Sequence, residues 1–406
     1  MSKQKASAGR RGPDVRSDMF IELTLTDSGG VTLDIQSKVK TLYGDSIEQL
    51  IRKGLAHFGL EHVNVIIEDA GALPFVQMAR LEAAVRRLEL DTPVEPWLPN
   101  AFDTSPEPSS RQRPRRSRLY LPGNEPKFMI NAAIHKPDGL ILDLEDSVAP
   151  AEKDAARILV RNALIHLDFM GAEKMVRVNQ GDRGLVDLEF IVPYGVDLIL
   201  LPKMETADQV AEFDTRIHEL RNEVGVDHDI WLMPIVESAK GAWNAFPIAA
   251  AAETVVALAI GLEDYTADIG VQRTNEGKES IWARHQLVNG ARAANVTPID
   301  TVFSDVNDMD ALLESVVEAK ALGFEGKGCI HPRQIPIVHQ GFAPTDDEVE
   351  KAKRIVLAFE EAERQGLGVV SLGSKMIDPP VVKRALRTVD AAIQAGLLTA
   401  DWREQG

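Results

Sequence analysis

Eight short apolar runs rich in β-branched residues constrain the fold of this chain more than any other feature. They are Leu119–Leu121, Gly139–Leu144, Met175–Val178, Leu198–Leu201, Ile230–Val236, Val255–Ile260, Val296–Val302 and Gly326–Ile330. Between them lie amphipathic stretches of helical spacing, such as Glu152–Leu167 and Ala207–Val224. Strands alternating with helices are typical of a parallel sheet, and eight units in about 250 residues are the size of a closed barrel. We expect an α/β fold, a (β/α)₈ TIM barrel. The alternative is a doubly wound sheet, but no Gly-x-Gly-x-x-Gly follows the first run.

A segment rich in proline and serine separates this region from the residues before it. In those earlier residues, Met19–Thr26 and Gly30–Ile35 alternate apolar and polar side chains around an Asp-Ser-Gly-Gly turn, which predicts a hairpin. Helical spacing at Ser46–Phe58 and Met78–Leu88, with a strand at Val63–Glu68, completes a small α+β domain.

These patterns divide the chain into four parts. They are an N-terminal domain at 1–92, a linker at 93–114, a barrel domain at 115–366 and a helical extension at 367–406. The first twelve residues are basic and contain no apolar stretch, so we expect a flexible tail there rather than a targeting segment.

Composition argues against several classes of function. Asp and Glu number 62 against 45 Lys and Arg, a net charge of −17, which argues against nucleic acids and anionic membranes as partners. No run reaches the roughly 18 apolar residues of a membrane-spanning helix. Because Cys329 is the single cysteine, an intramolecular disulfide, a cysteine-based zinc site and an iron–sulfur cluster are excluded. We expect a cytoplasmic protein.

Polar or charged residues follow six of the eight runs, where a parallel barrel places its reactive groups. They are Glu145, Asp146, Arg177, Asn179, Lys203, Glu205, Glu237, Glu263, Asp264 and His331. Each alone is as readily a helix cap or a surface turn, but their recurrence favours a site. Because carboxylates predominate, a metal held here would be Mg²⁺ or Mn²⁺ rather than Zn²⁺. Arg177 would be costly to bury unpaired, so its partner is a substrate carboxylate or a neighbouring glutamate.

The barrel region resembles a known family in eight motifs that follow the family's order. The motifs are RRSRLYLPGNEPK (115–127), GLILDLEDSV (139–148), VRVN (176–179), LPKME (201–205), MPIVESAKG (233–241), IGLEDYTADIG (260–270), GKGCIHPRQI (326–335) and KMIDPPVV (375–382). They are similar to those of citrate lyase β-subunits and of the related malyl-CoA and citramalyl-CoA lyases, within the HpcH/HpaI-like aldolases.

The N-terminal domain resembles the citrate lyase γ-subunit, an acyl carrier, over residues 33–55 and 64–87. The chain therefore looks like a γ–β fusion. In the γ family a phosphopantetheine-type group is attached to a serine in a Ser-Ser-Asp element, and this chain has Arg16-Ser17-Asp18 there. Arg16 matches the modified serine, so either Ser17 has taken over its role or the carrier chemistry has been lost. We favour loss.

The resemblance implies a retro-Claisen cleavage of a 3-hydroxyacyl thioester, of citryl, malyl or citramalyl type, to a 2-oxoacid and an acetyl-type thioester. It implies that Glu237 and Asp264 bind Mg²⁺ or Mn²⁺ and that Arg177 binds the substrate carboxylate. Asp378 would supply a proton from a neighbouring subunit.

Other roles are implied for four residues near these. Tyr120 and Lys127 match positions near the pantetheine arm and the phosphates. Glu145 and Asp146 would orient Arg177 or the waters of the metal. His331 is as readily a structural hydrogen-bonding residue as a catalytic one.

Three readings of the function remain open at this stage. The first is a lyase acting on free CoA thioesters, and the second is a lyase acting on its own tethered acyl group. The third is a non-catalytic scaffold that keeps the barrel. We also expect a homo-oligomer, with a trimer as the candidate form, because the amphipathic segment Ser371–Gly396 follows the barrel and carries Asp378. An α-subunit-like acyltransferase is the candidate partner.

Overall fold

The computed structural model describes residues 4–90, 96–97, 108–366, 369–372 and 375–403. The strands are β1 Lys5–Ala8, β2 Met19–Leu25, β3 Val31–Ser37, β4 Val63–Asp69, β5 Ser117–Pro122, β6 Gly139–Asp143, β7 Glu173–Arg177, β8 Leu198–Leu201, β9 Trp231–Val236, β10 Ala257–Ile260, β11 Thr297–Asp300, β12 Gly326–Cys329, β13 Val370–Leu372 and β14 Lys375–Ile377. The helices are α1 Lys40–His57, α2 Pro74–Arg86, α3 Pro126–Met129, α4 Lys153–His166, α5 Gly181–Glu189, α6 Ala207–Val224, α7 Ala239–Trp243, α8 Ala245–Ala249, α9 Leu262–Asp268, α10 Ile281–Ala293, α11 Met309–Leu322, α12 Gln334–Phe342, α13 Asp346–Arg364 and α14 Pro379–Gln394.

The chain divides into two compact units. The first comprises Met1–Val306 and Leu322–Ile335, and the second comprises Asn307–Ala321 and Pro336–Gly406. The predicted domain boundaries stay a prediction, and residues 93–95 and 98–107 of the predicted linker lie outside the described residues.

The strands β5 to β12 form a closed parallel barrel in the first unit, which confirms the predicted fold class. Each strand pairs with the next along the chain, and β12 closes the barrel on β5 with Cys329 opposite Leu119. The interior is filled by apolar side chains of alternating strand positions, because every second residue faces inward. They include Ile141, Met175, Leu198, Leu200, Met233, Ile235, Ala259 and Ile299.

The N-terminal sheet has the order β1-β2-β4-β3, so the predicted hairpin between β2 and β3 is wrong. Strand β4 lies between them, antiparallel to β2 and parallel to β3. The helix α1 carries the chain back from the end of β3, which makes β3 and β4 parallel neighbours. Burial explains the order: Val63, Val65 and Ile67 of β4 are buried, whereas every residue of β3 is at least partly exposed. The more apolar strand therefore takes the centre.

The expected flexible tail is also wrong in part. Residues Lys5–Ala8 form β1, which pairs antiparallel with β2, and Ala8 is buried. The short alternating run was too weak a signal for a strand, but pairing with β2 satisfies its backbone groups.

Helix α2 is buried on almost every face because it lies between the N-terminal sheet and barrel helix α4. The buried polar groups there are matched. Arg161 of α4 bonds Glu82 of α2, and the Asn162 amide donates to the carbonyl of Phe75 at 3.1 Å. The N-terminal domain is thus docked on the barrel through a hydrogen-bonded interface.

A second buried ion pair lies within the N-terminal domain, and its arginine also bonds to the barrel. Arg80 of α2 donates from Nε and Nη2 to the two carboxylate oxygens of Asp18, at 2.8 and 2.9 Å. Its Nη2 also donates to the carbonyl of Asn124, in the loop that follows β5, at 3.1 Å. Because both Arg80 and Asp18 are buried, losing either partner would leave an uncompensated charge.

The second unit has its own core. Helices α13 and α14 pack together through apolar side chains, and β13 and β14 pair antiparallel. The core residues include Ile355, Val356, Phe359, Val382, Val389 and Trp402. In the described ranges, no helix combines the length and the apolar character that crossing a membrane requires.

Replacing Arg80 by Met should lower the stability by about 3–5 kcal/mol, because Asp18 stays buried without its partner. Arg52→Met is the matched control, since Arg52 pairs with Glu48 at 2.8 Å on the exposed face of α1 and such pairs contribute about 0.3–0.5 kcal/mol. Thermal unfolding of both variants measures the difference. Equal midpoints would show that the Arg80 pair does not stabilise the protein.

Candidate active site

A cavity of about 490 Å³ opens at the carboxyl ends of the barrel strands. Residues from the strand ends and the loops that follow them line it. The charged and hydroxyl-bearing residues of this lining, in the part of the chain that the structure describes, are Arg118, Tyr120, Asp143, Asp146, Ser147, Arg177, Glu237, Glu263, Asp264, Asp300 and Thr301. Acidic side chains predominate, so the cavity attracts cations.

Arg177 is held rigidly by a carboxylate that the sequence analysis missed. Its Nε and Nη2 donate to the two oxygens of Asp143 at 2.7 and 2.8 Å, across the β6–β7 pair in which the two residues are opposite. Its Nη1 lies 3.0 Å from Oε2 of Glu145, and its guanidinium lies 5.3 Å from the ring centre of Tyr120. The expected glutamate partner is therefore present. Asp143 ends an apolar run, and its in-phase alternation with Ile141 was the available signal.

The pKa values of this pair follow from burial and charge. Burial alone would raise the pKa of Asp143, but the hydrogen bonds and charge of Arg177 hold it below its usual range. Burial alone would lower the pKa of Arg177, yet Asp143 raises it above its ordinary value. Burial raises the pKa of Glu145, against the opposing charge of Arg177.

Lys203 brings a second positive charge to the carboxylates. Its Nζ lies 3.2 Å from Asp264, 3.7 Å from Glu145 and 4.0 Å from Asp146. Burial opposes its charged form, but Glu145 and Asp146 raise the pKa of the ammonium above its usual value. Lys203 is one of the charged residues that follow the apolar runs in the sequence, but it is not among the residues to which the sequence analysis gives a role in the site.

Glu237 ends β9 and is buried against two other elements. Its Oε2 accepts a hydrogen bond from the backbone N–H of Lys203 at 2.9 Å. A Cβ at position 261 would lie 2.4 Å from its Oε1, so Gly261 leaves the space that the carboxylate occupies. Burial first, and then the charge of Glu145, raise the pKa of Glu237 to about 8, and Asp264 contributes in the same direction.

The structure brings some predicted residues into the cavity and leaves others outside it. Tyr120, Asp146, Arg177, Glu237 and Asp264 line it. Lys127 does not; its ammonium lies 3.5 Å from Glu125 and 4.7 Å from the ring centre of Phe128.

Four other strand-end candidates also have local structural partners. Asn179 bonds Asp187, Glu205 accepts from Ser238, Glu263 pairs with Arg273, and Nδ1 of His331 accepts from the backbone N–H of Arg333. Of these four, Glu263 lines the cavity, whereas the lining does not include Asn179, Glu205 or His331.

Ser17 and Asp378 lie on other elements. Ser17 precedes β2 with a positive φ of 54°, and its N–H donates to the carbonyl of Ala70 at 3.0 Å. Asp378, in the second unit, caps α14 by accepting a hydrogen bond from the N–H of Val381 at 3.2 Å. Their functional roles stay predictions.

The sequence matches the family model described as HpcH/HpaI aldolase/citrate lyase over residues 116–332. The chain belongs to this family. The expected acyl-carrier resemblance of the N-terminal domain is also confirmed, by a match over residues 4–88 to the model described as malonate decarboxylase delta subunit (MdcD).

Known relatives agree with this assignment. Citrate lyase subunit beta of Haemophilus influenzae is 43% identical over 68% of this chain and 97% of its own length. Mitochondrial citramalyl-CoA lyase of Mus musculus is 33% identical over 76% of this chain and 94% of its own. The structure of CitE from Mycobacterium tuberculosis in complex with magnesium, acetoacetate and coenzyme A superposes with a TM-score of 0.57 and 31% identity, covering 70% of this chain and 99% of that one.

The raised pKa of Glu237 predicts a pH-dependent stability in the metal-free protein. An unfolded glutamate loses its proton near 4.5 and the folded one near 8, so folding favours the protonated group and stability falls as pH rises through this window. Glu237→Gln stays neutral, so its thermal midpoint relative to the parent protein should rise between pH 5 and pH ~8.5.

Glu205→Gln is the control, because hydrogen bonding to Ser238 and Lys240 lowers the pKa of Glu205 and places its titration below this window. Thermal unfolding in the presence of a chelator measures both variants. A constant difference between Glu237→Gln and the parent would show that Glu237 is ionised throughout.

Proposed function

We propose that the protein is a Mg²⁺-dependent carbon–carbon lyase that cleaves a 3-hydroxyacyl-CoA to a 2-oxoacid and an acetyl-type thioester. The observation that carries this proposal is the convergence of Glu237, Asp264 and Arg177 on one cavity at the carboxyl ends of the barrel strands. Membership of a family with citrate lyase β-subunits and a citramalyl-CoA lyase supports the reaction class.

The carboxylates of Glu237 and Asp264 would hold the metal ion. Oxygen donors suit Mg²⁺, and the space that Gly261 leaves beside Glu237 keeps its carboxylate at the cavity wall. Among the described residues no group of three or more histidine, cysteine or carboxylate side chains is placed to bind a metal, so water and substrate oxygens would complete the coordination. When bound, Mg²⁺ would stabilise the negative oxygen that becomes the ketone of the 2-oxoacid.

Arg177 and Lys203 orient the negatively charged substrate in this proposal. Asp143 holds two edges of the Arg177 guanidinium, so the side chain does not reorganise when a carboxylate approaches Nη1. Lys203 lies among Glu145, Asp146 and Asp264, where it moderates their mutual repulsion. The ring of Tyr120 lies against the Arg177 guanidinium and lines the same cavity.

The barrel acts on free CoA thioesters, and the N-terminal domain does not carry the acyl group. Asp18, next to Ser17, is buried in the ion pair with Arg80, and the preceding position is Arg16 rather than serine. A carrier arm needs a mobile attachment point, whereas this segment is tied to β4 and α2. Recruitment of an α-subunit-like acyltransferase is the alternative use of this domain.

Unmodified purified protein should cleave a citryl-, malyl- or citramalyl-CoA in the presence of Mg²⁺. Glu237→Ala or Asp264→Ala should lower kcat at least about 10³-fold, because a carboxylate that binds the metal is lost. Glu205→Gln, a strand-end carboxylate outside the cavity, should retain activity. The measurement is release of the 2-oxoacid, with and without a chelator.

Full turnover by Glu237→Ala, or activity that survives exhaustive chelation, would contradict the metal role. Intact mass of protein from its native host tests the carrier question independently. A pantetheine-type adduct on Ser17, together with loss of physiological turnover in Ser17→Ala, would favour the tethered substrate.

Asp378 supplies the proton to the thioester enolate from a neighbouring subunit, in a homo-oligomer for which a trimer is the proposed form. Asp378→Ala and Arg177→Ala should each be inactive, since each removes one group of a shared site. Mixing the two after subunit exchange should restore part of the activity, because some sites then contain both intact residues. Arg177→Ala mixed with Glu237→Ala is the control, which should stay inactive because both residues belong to the same barrel. No recovery in the first mixture would exclude Asp378 as an acid acting across the interface.

A further inference from the structure

Arg118 lines the cavity below Tyr120, towards the interior of the barrel. It is on β5, two residues before Tyr120 and therefore on the same side of the strand. Because the strands run towards the cavity mouth, Arg118 is one step further into the barrel than Tyr120. It lines the cavity together with Gly328, its partner in the β5–β12 pairing, and these two residues mark what we call the inner end.

The Arg118 guanidinium is buried without a carboxylate partner. Arg118 is 1% exposed, and its Nε has no hydrogen-bond acceptor in the part of the chain that the structure describes. Its Nη1 donates to Sδ of Met233, a weak acceptor, at 3.0 Å. Among the described residues no carboxylate lies within ion-pairing distance of it. Asp300, on the same cavity wall, is instead bonded to Lys327 at 2.8 Å and to Arg284 at 3.1 Å.

Three other arginines that are buried as deeply each have a carboxylate partner. Arg80, Arg115 and Arg161 each bind a carboxylate with two nitrogens. A guanidinium taken out of water without such a partner destabilises the fold. Burial accordingly lowers the pKa of Arg118. An uncompensated cation in the wall of a cavity indicates that a ligand supplies the missing anion.

The inner end belongs to the cavity of about 490 Å³, so a ligand group in the cavity can reach Arg118. A Cβ at position 328 would lie 2.6 Å from Cγ1 of Val302 and 3.2 Å from Cε2 of Tyr120. Glycine at this position therefore lets Val302 and Tyr120 pack closely against β12, while Arg118 still borders the cavity.

We propose that Arg118 binds a carboxylate on the far side of the substrate, and that it makes the enzyme selective for thioesters whose hydroxyl carbon carries a carboxymethyl group. This inference rests on the proposed function. Glu237, Asp264 and Arg177 occupy the outer part of the cavity, where they meet the hydroxyl and the adjacent carboxylate. The thioester arm leaves through the mouth, so the remaining substituent of the hydroxyl carbon points to the inner end. A planar guanidinium binds a carboxylate there through two parallel hydrogen bonds.

Two substrates test this selectivity directly. Citryl-CoA and citramalyl-CoA differ only in that substituent, which is carboxymethyl in the first and methyl in the second. The parent protein should prefer citryl-CoA. Arg118→Met should lower kcat/KM for citryl-CoA about 10²-fold, because one partner of a buried charge pair is removed. The same substitution should change kcat/KM for citramalyl-CoA less than about threefold. Arg118→Lys should retain part of the preference, since it keeps the charge but loses the fork.

Binding of the free products separates this inference from the proposed function. Calorimetry with Mg²⁺ compares oxaloacetate with pyruvate, which lacks the second carboxylate, and Arg118→Met should weaken only oxaloacetate binding. If neither thioester is cleaved but oxaloacetate binding still depends on Arg118, the lyase proposal fails and the anion site stands. If citramalyl-CoA is cleaved normally and Arg118→Met affects both products equally or not at all, the lyase stands and the selectivity role fails.

Stability distinguishes a ligand-binding role from a structural one. Without ligand, Arg118→Met should unfold at the same temperature as the parent protein or at a higher one, because an unpaired buried charge is removed. A lower midpoint, or failure of both the Met and the Lys variants to fold, would mean that Arg118 supports the barrel and would overturn the proposal.

Discussion

Closure of the parallel barrel is the constraint on which the site depends. Pairing of β12 with β5 makes the strand ends into a ring, so residues far apart in the chain reach the same cavity. Asp143 and Arg177 illustrate this most directly, because the register of β6 and β7 places them opposite each other and joins them by two hydrogen bonds. The apolar side chains that fill the barrel interior fix the positions of the strands, and therefore also the positions of the polar side chains at the strand ends.

The carboxylates at the strand ends are of two kinds, which differ in the direction of their pKa shift. Asp143 is saturated by Arg177, so its pKa is depressed and it acts as a permanent anchor for the guanidinium. Glu237 is also buried, and among the described residues it accepts one backbone hydrogen bond, from Lys203. Burial, and then the charge of Glu145, raise its pKa to about 8. Similar side chains at similar depth thus differ in charge because of their partners. A cation arriving at Glu237 and Asp264 would relieve a repulsion that Lys203 and Arg177 offset only in part.

The sequence predicts the barrel well because its signal is local. Each buried strand appears as a continuous apolar run, and Glu237 and Asp264 follow such runs at predictable points. The pairing of strands that are far apart in the sequence does not leave such a local signal. The insertion of β4 between β2 and β3 depends on which strand buries more apolar surface, a property of the assembled sheet. Asp143 was missed because it stands inside an apolar run, and Arg118 because it directly precedes one. Only their contacts show that Asp143 pairs with Arg177 and that Arg118 has no carboxylate partner among the described residues.

Docking of the N-terminal domain bears on how a carrier-like module works when it is fused to its enzyme. A separate carrier delivers its acyl group by moving, and its surface stays polar so that it dissociates. Here α2 is buried between its own sheet and α4, and Glu82 and Arg80 direct their charges into that interface. Separating the two surfaces would expose apolar side chains, break the buried Glu82–Arg161 ion pair and remove the hydrogen bond from Arg80 to Asn124, so the domain is held in place. Its contact with Asn124 lies in the loop that follows β5, and Gly123 of that loop donates to the carbonyl of Asp143 at 2.8 Å. The module therefore supports the strand that carries Tyr120 and the anchor of Arg177, which favours the proposal that it serves as a support rather than as an acyl carrier.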